Sequence, residues 1–130
     1  METGLSQERI LMERTILVQV RLPSSDFDER DPMGELRALA ETAGVTVVGE
    51  MEQNLKVPRG ATYLGKGKVE ELAAMVQALD AKAVIFDNDL SPSQVQGLEE
   101  AIRCKVLDRS ELILDIFANR ATTRQAQLQV

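Results

Sequence analysis

The segment Thr62-Tyr-Leu-Gly-Lys-Gly-Lys-Val-Glu-Glu-Leu72 joins a short apolar run to a glycine-lysine turn that opens into a helical pattern. Beyond the turn, apolar residues recur at the spacing of an amphipathic helix: Val69, Leu72, Ala73, Val76 and Leu79. Gly65 and Gly67 allow a positive φ and a close approach of the backbone to a ligand. Lys66 and Lys68 lie where a helix N-terminus presents free N–H groups and the positive end of its dipole. The turn is therefore a candidate site for a phosphate of a nucleotide or an RNA backbone, and a plain solvated turn is the competing interpretation.

The remaining chain alternates strand and helix patterns. Four runs rich in branched apolar residues predict strands over residues 15–22, 45–51, 83–86 and 104–107. Helix starts are predicted at Asp31-Pro32, at the glycine-lysine turn, and at three capping boxes that begin at Ser91, Asp108 and Thr122. Residues 53–61 form a longer connection.

Strands that alternate with helices pair in parallel through right-handed crossovers. The sequence therefore predicts an α/β domain with a small four-stranded parallel sheet, strand order 2-1-3-4, and helices on both faces. We expect residues 1–14 to be a flexible lead-in, residues 15–121 to form this domain, and residues 122–130 to begin a helical stem.

Composition excludes several classes of function. With no histidine, the chain has no Ser-His-Asp or Cys-His catalysis, and its single cysteine, Cys104, forms no intrachain disulfide and is expected to be a buried structural thiol. The net charge of −6 disfavours nucleic-acid contact except through a local basic patch, for which Arg120 and Arg124 are candidates. No apolar run reaches membrane-spanning length and no signal peptide precedes the strands, which predicts a cytoplasmic protein.

Three segments, taken in order, resemble the N-terminal domain of the HflX family of ribosome-associated GTPases. They are the opening segment Thr62–Leu72, then Val84-Ile-Phe-Asp-Asn-Asp-Leu-Ser-Pro-Ser-Gln94, then Lys105-Val-Leu-Asp-Arg-Ser-Glu-Leu-Ile-Leu-Asp-Ile-Phe-Ala-Asn-Arg120, which runs on to Val130. The resemblance implies that a two-helix stem and a P-loop GTPase domain follow this domain. It also implies that the whole protein binds and splits ribosomes.

The same resemblance supplies expected partners and cofactors. The partners are the large ribosomal subunit, its RNA and the protein's own GTPase domain, with no membrane span and no DNA. GTP and Mg²⁺ are expected in the GTPase domain, and ATP is a candidate ligand of the Gly65-Lys66-Gly67-Lys68 turn. Arg109, Arg120 and Arg124 are candidate contacts to RNA or to the neighbouring domain. No catalytic or metal-binding residue is expected in this chain.

The sequence departs from a complete GTPase, because no G-x-x-x-x-G-K-[ST] motif occurs in it. We therefore expect GTP hydrolysis to lie outside this chain. One alternative is an independent ATP-binding domain that uses the glycine-lysine turn. A weaker alternative is a phospho-receiver domain with Asp87 as acceptor and Asp26 or Asp28 as acidic partners, which requires a fifth strand that the sequence does not offer.

Overall fold

The computed structural model describes residues 14–23, 29–57 and 60–118. The strands are β1 (Arg14–Arg21), β2 (Thr46–Asn54), β3 (Ala83–Phe86) and β4 (Lys105–Asp108). The helices are α1 (Gly34–Ala43), α2 (Lys66–Ala78) and α3 (Pro92–Ile102), with a short 3₁₀ turn at Gly60–Thr62. A fourth helix, α4, covers residues 109–118 of the described chain.

The four strands form one parallel sheet in the order β2-β1-β3-β4, which confirms the predicted fold class and strand order. β1 is central: it pairs with β2 along its whole length and with β3 from Thr15 to Val18. Residues 15–20 of β1 are at most 3% exposed. This burial explains why the strand is almost continuously apolar, since helices cover both of its faces.

Two hydrophobic cores lie on opposite faces of the sheet. α2 and α3 cover the face that includes Ile16, Val18 and Phe86. α1 and α4 cover the other face, where Leu36 and Leu112 pack against Leu17, Ile85 and Leu107. The predicted placement of helices on both faces is therefore confirmed.

The capping box at Ser91 is confirmed in both directions. The Gln94 N–H donates to Ser91 Oγ at 3.2 Å, and the Ser91 N–H donates to Gln94 Oε1 at 2.9 Å. At the second predicted box, Asp108 Oδ1 accepts the N–H of Glu111 at 2.9 Å and so caps the start of α4. The third box, at Thr122, lies outside the described residues.

Four predicted elements have wrong boundaries, and β1 is one of them, since it covers Arg14–Arg21 and not residues 15–22. Asp31 and Pro32 form a turn and α1 starts at Gly34, because the Gly34 N–H bonds to the Asp31 carbonyl at 3.0 Å and closes that turn before the helix. β2 extends to Asn54, since its polar end pairs with β1 through the backbone whatever side chains it carries. β4 starts at Lys105, which leaves Cys104 half-buried, with its thiol 3.7 Å from the carbonyl oxygen of Ala81.

Candidate functional site

The glycine-lysine turn forms the N-terminus of α2. Gly65 is the N-cap, with φ −65° and ψ 154°, and Lys66, Gly67 and Lys68 form the first helical turn. Gly65 and Gly67 do not adopt the positive φ that glycine allows, because the N-cap residue is extended and the residues after it are helical. Among the described residues near the turn, the positive φ falls on Tyr63, at 65°.

Several donors at this helix start have no acceptor within the helix. The first internal bond joins the Val69 N–H to the Gly65 carbonyl at 3.0 Å, so the preceding N–H groups of the first turn point away from the helix. No side chain in the part of the chain that the structure describes caps them. Gly67 is exposed and a Cβ there meets no atom within 4 Å. These N–H groups therefore lie at the positive end of the α2 dipole, and the position of a Cβ on Gly67 beside them is open.

The two lysines of the turn differ in their surroundings. Lys68 Nζ lies 3.2 Å from Glu71 Oε2, one helical turn further on. Lys66 is exposed and forms no salt bridge with any residue in the described part of the chain. Lys66 is thus the cation of the turn whose charge no described carboxylate offsets.

Gln53, at the end of β2, fixes the position of the turn. Its Oε1 accepts the Gly65 N–H at 3.0 Å, and its Nε2 lies 3.0 Å from the position of a Cβ on Gly65. A larger residue at 65 therefore displaces the Gln53 amide. The sequence does not predict this contact, because its pattern places Gln53 in a connecting loop.

An open cleft of about 780 Å³ lies beside the turn and shares two residues with it. Its lining consists mostly of small and apolar residues: Gly60, Ala61, Thr62, Leu64, Gly65, Lys66, Val69, Glu70, Ala73 and Ala101. On α3, a Cβ added to Gly97 lies only 2.6 Å from the Ala61 carbonyl oxygen, so glycine is what allows α3 to approach the 3₁₀ turn so closely. This approach joins residues distant in sequence, and no local pattern predicts it.

The carboxyl edge of the sheet, where doubly wound folds bind ligands between β1 and β3, is filled by the protein's own side chains. Asn88 bonds to both backbone groups of Val20, at 2.8 and 2.9 Å. Gln19 Nε2 donates to Asp87 Oδ2 at 2.7 Å. Burial raises the pKa of Tyr63, and a hydrogen bond with Asn88 opposes the rise. Asp87, the acceptor in the receiver alternative, is thus engaged inside the domain, and the other two acids of that alternative lie outside the described residues.

Arg109 faces the same edge and contacts two carboxylates. Its Nη1 donates to Asp87 Oδ1 at 3.2 Å, and its Nη2 donates to Glu35 Oε1. The hydrogen bond with Glu35 raises the pKa of Arg109, so the guanidinium stays charged. These contacts share no residue with those of the glycine-lysine turn. The other two predicted arginines, Arg120 and Arg124, lie outside the described residues.

No group of three or more acidic or cysteine side chains in residues 14–23, 29–57 and 60–118 is arranged to hold a metal ion. No helix in those ranges is long and apolar enough to cross a membrane.

Comparison with known proteins identifies relatives over nearly the whole chain. The GTPase HflX of Lacrimispora saccharolytica is 44% identical over 131 residues, which cover 98% of this chain and 30% of that protein. The GTPase HflX of Escherichia coli is 40% identical over 118 residues, covering 91% of this chain and 27% of its own length. The chain thus spans less than a third of the curated relatives that it matches.

Solved structures share the fold. A GTP-binding protein from the archaeon Sulfolobus solfataricus, solved in complex with GDP, superimposes with a TM-score of 0.60 at 20% identity, over 82% of this chain and 30% of that one. The sequence profile of the GTP-binding GTPase N-terminal family matches residues 30–118. This chain therefore belongs to the GTP-binding GTPase N-terminal family and corresponds to the N-terminal domain of the HflX GTPases.

Proposed function

We propose that this chain is the N-terminal domain of a cytoplasmic GTPase that acts on ribosomes, and that the domain itself binds the large ribosomal subunit without hydrolysing GTP. The observation that carries the proposal is the match over 98% of the chain to proteins named GTPase HflX, which are more than three times as long. Residues 15–121 are the proposed domain, and residues 122–130 are the proposed start of the stem that leads to the GTPase domain.

We assign nucleotide binding to the GTPase domain and RNA contacts to this domain because of the motifs that the sequence contains. GTP and Mg²⁺ need a phosphate-binding loop with its lysine and hydroxyl, and the sequence contains no such motif. In our proposal both ligands bind the GTPase domain, and this domain supplies contacts to RNA and to that GTPase domain.

The proposed RNA contact is the glycine-lysine turn. The N–H groups of Lys66, Gly67 and Lys68 have no side-chain cap among the described residues, no described carboxylate offsets the charge of Lys66, and a Cβ on Gly67 meets no atom within 4 Å. Arg120 and Arg124, which lie outside the described residues, are proposed as further contacts to RNA or to the GTPase domain. Arg109 already binds two carboxylates of its own domain and does not belong to the proposed phosphate-binding set.

Co-sedimentation with large ribosomal subunits over a salt series tests this proposal. We expect the variant Lys66→Ala/Lys68→Ala to bind more weakly and to lower the salt slope, log K against log [salt], by about 0.7–0.9 for each lost phosphate contact. The matched control is Lys82→Ala/Lys105→Ala, which removes the same charge from exposed residues at the opposite, amino-terminal edge of the sheet. Equal losses in the two variants would assign the effect to net charge and reject the turn as the contact.

A second candidate function is ATP binding at the turn, and the adjoining cleft favours it. The cleft shares Gly65 and Lys66 with the turn, so its apolar wall lies next to the uncapped N–H groups. We expect Ala101→Leu, which fills the cleft, to abolish ATP binding in calorimetry while subunit binding persists. Calorimetry of the unchanged protein with ATP and GTP, with and without Mg²⁺, rejects this candidate if no heat of binding is seen.

A further inference from the structure

The first turn of α4 is tied to the loop between β3 and α3. α4 begins at residue 109, directly after β4 ends at Asp108, with no connecting loop. Asp108 Oδ2 accepts the Leu90 N–H at 3.0 Å, while its other oxygen caps the helix. Ser110 Oγ donates to Asp89 Oδ1 at 2.7 Å. The start of the helix and this loop are therefore held together by side chains on both sides.

Arg109 adds a second set of ties to the same turn. Its guanidinium joins Asp87, at the end of β3, to Glu35, in the first turn of α1. Asp87 is also held by the central strand, because Gln19 Nε2 on β1 donates to Asp87 Oδ2 at 2.7 Å. Gln19 is only 3% exposed. One arginine thus connects α4 with the sheet and with α1.

The outer half of α4 contacts the domain through Ile116, which packs against the same core as Leu112. Leu112 is buried at 1% exposure, but Leu114 is 61% exposed and Phe117 is 65% exposed. The helix therefore has polar ties at its beginning and an apolar contact towards its end, while the face that carries Leu114 and Phe117 is exposed.

We propose that the first turn of α4 is a joint that sets the direction in which the helix projects from the domain, and that Arg109 is its positioning residue. A helix of ten residues is about 15 Å long, so a swing of 15° about the first turn moves its far end by about 4 Å. The joint therefore fixes where the polypeptide beyond α4 leaves the domain. This inference goes beyond the proposed function, since it depends on neither ribosome nor nucleotide binding.

Distances between two spin labels in the full-length protein test the joint. One label is placed at Ala118→Cys, at the end of α4, and the other at Ala74→Cys, an exposed position on α2, in a background without other reactive cysteines. We expect Arg109→Met to shift or broaden the distance distribution relative to that of the unchanged protein. Glu35→Ala, which removes one of the two partners, is expected to give a smaller change in the same direction.

Arg37→Met is the matched control, because Arg37 also binds two carboxylates, Glu50 at 2.7 Å and Asp31 at 3.1 Å, but does not contact α4. Its distance distribution should equal that of the unchanged protein. The inference is wrong if Arg109→Met leaves the distribution unchanged, or if Arg37→Met alters it equally. If Arg109→Met does not fold, Glu35→Ala decides, since Glu35 is 72% exposed and its loss is tolerable; no change in that variant also overturns the joint.

Discussion

Asn88 acts as a strand residue for Val20: its side-chain amide donates to the Val20 carbonyl at 2.8 Å and accepts the Val20 N–H at 2.9 Å. β3 ends at Phe86, so β1 extends beyond its neighbour by several residues. The amide extends the hydrogen-bond ladder where the backbone of β3 turns away. The backbone N–H and C=O of Val20 are thereby hydrogen-bonded at the edge of the sheet where open α/β folds more often hold a ligand.

Replacing Asn88 by aspartate should destabilise the domain. A carboxylate still accepts the Val20 N–H but cannot donate to the carbonyl, which loses its partner and faces a negative charge. We expect the free energy of unfolding to fall by about 1–3 kcal/mol in a denaturant titration. Asn54→Asp, at an exposed position at the end of β2, is the control and should change stability by less than about 0.5 kcal/mol.

Two glycines in helices should respond oppositely to alanine. At Gly97 the new Cβ lies 2.6 Å from the Ala61 carbonyl oxygen, a backbone atom that cannot move aside cheaply. We expect Gly97→Ala to cost about 1–3 kcal/mol, as overpacking does. At Gly67 no atom lies within 4 Å, so Gly67→Ala should be neutral or stabilising by up to about 1 kcal/mol. Thermal unfolding of both variants checks the contrast, and equal effects would contradict the close approach of α3.

The single tyrosine of the chain gives a specific pH dependence. Burial raises the pKa of Tyr63 in the folded state above its ordinary value of about 10. The contribution of neutral Tyr63 to the free energy of unfolding is therefore complete below about pH 10. It is lost as the pH rises through the folded pKa, because the tyrosine ionises at a lower pH in the unfolded chain. Ultraviolet titration of the phenolate should give a pKa above about 10 in the folded protein. The alkaline loss of stability should be smaller in Tyr63→Phe, and an unshifted titration would disprove the burial effect.

Arg103 follows α3 in the left-handed region, with φ 54° and ψ 51°. This conformation costs a side chain with a Cβ more than it costs glycine, which is common at this position after a helix. We expect Arg103→Gly to raise the free energy of unfolding by about 0.5–1 kcal/mol. The control Glu100→Gly, inside α3, should lower it by about 1 kcal/mol. A loss of stability in Arg103→Gly would show that the arginine side chain contributes more than its backbone strain costs.

The features that the sequence predicts correctly depend on residues that lie close together in the chain. The box at Ser91 depends on residues three apart, and the strand order follows from four apolar runs separated by helices. Both features are specified within short stretches of chain, so one sequence suffices to predict them.

The features that the sequence does not predict depend on distant partners. Gln53 becomes a strand residue because β1 pairs with it, and it then binds Gly65 twelve positions later. The cleft is lined by residues from the 3₁₀ turn, α2 and α3, which only the packing of these elements brings together. Arg109 binds Glu35, 74 positions away, whereas the sequence suggests contacts outside the domain. Such pairings are set by the packing of the sheet and its helices, which no local pattern encodes.

The central position of β1 also matters while the chain is being made. β1 leaves the ribosome first, but the strand that closes its second edge, β3, ends about 65 residues later. At about 5–20 residues per second, that edge stays unpaired for roughly 3–13 s. A buried, apolar strand with a free edge is a template for pairing with other chains. The order of strands in this sheet therefore makes the nascent domain most prone to aggregation before Phe86 has emerged, and a chaperone that shields the chain in that interval should raise its yield.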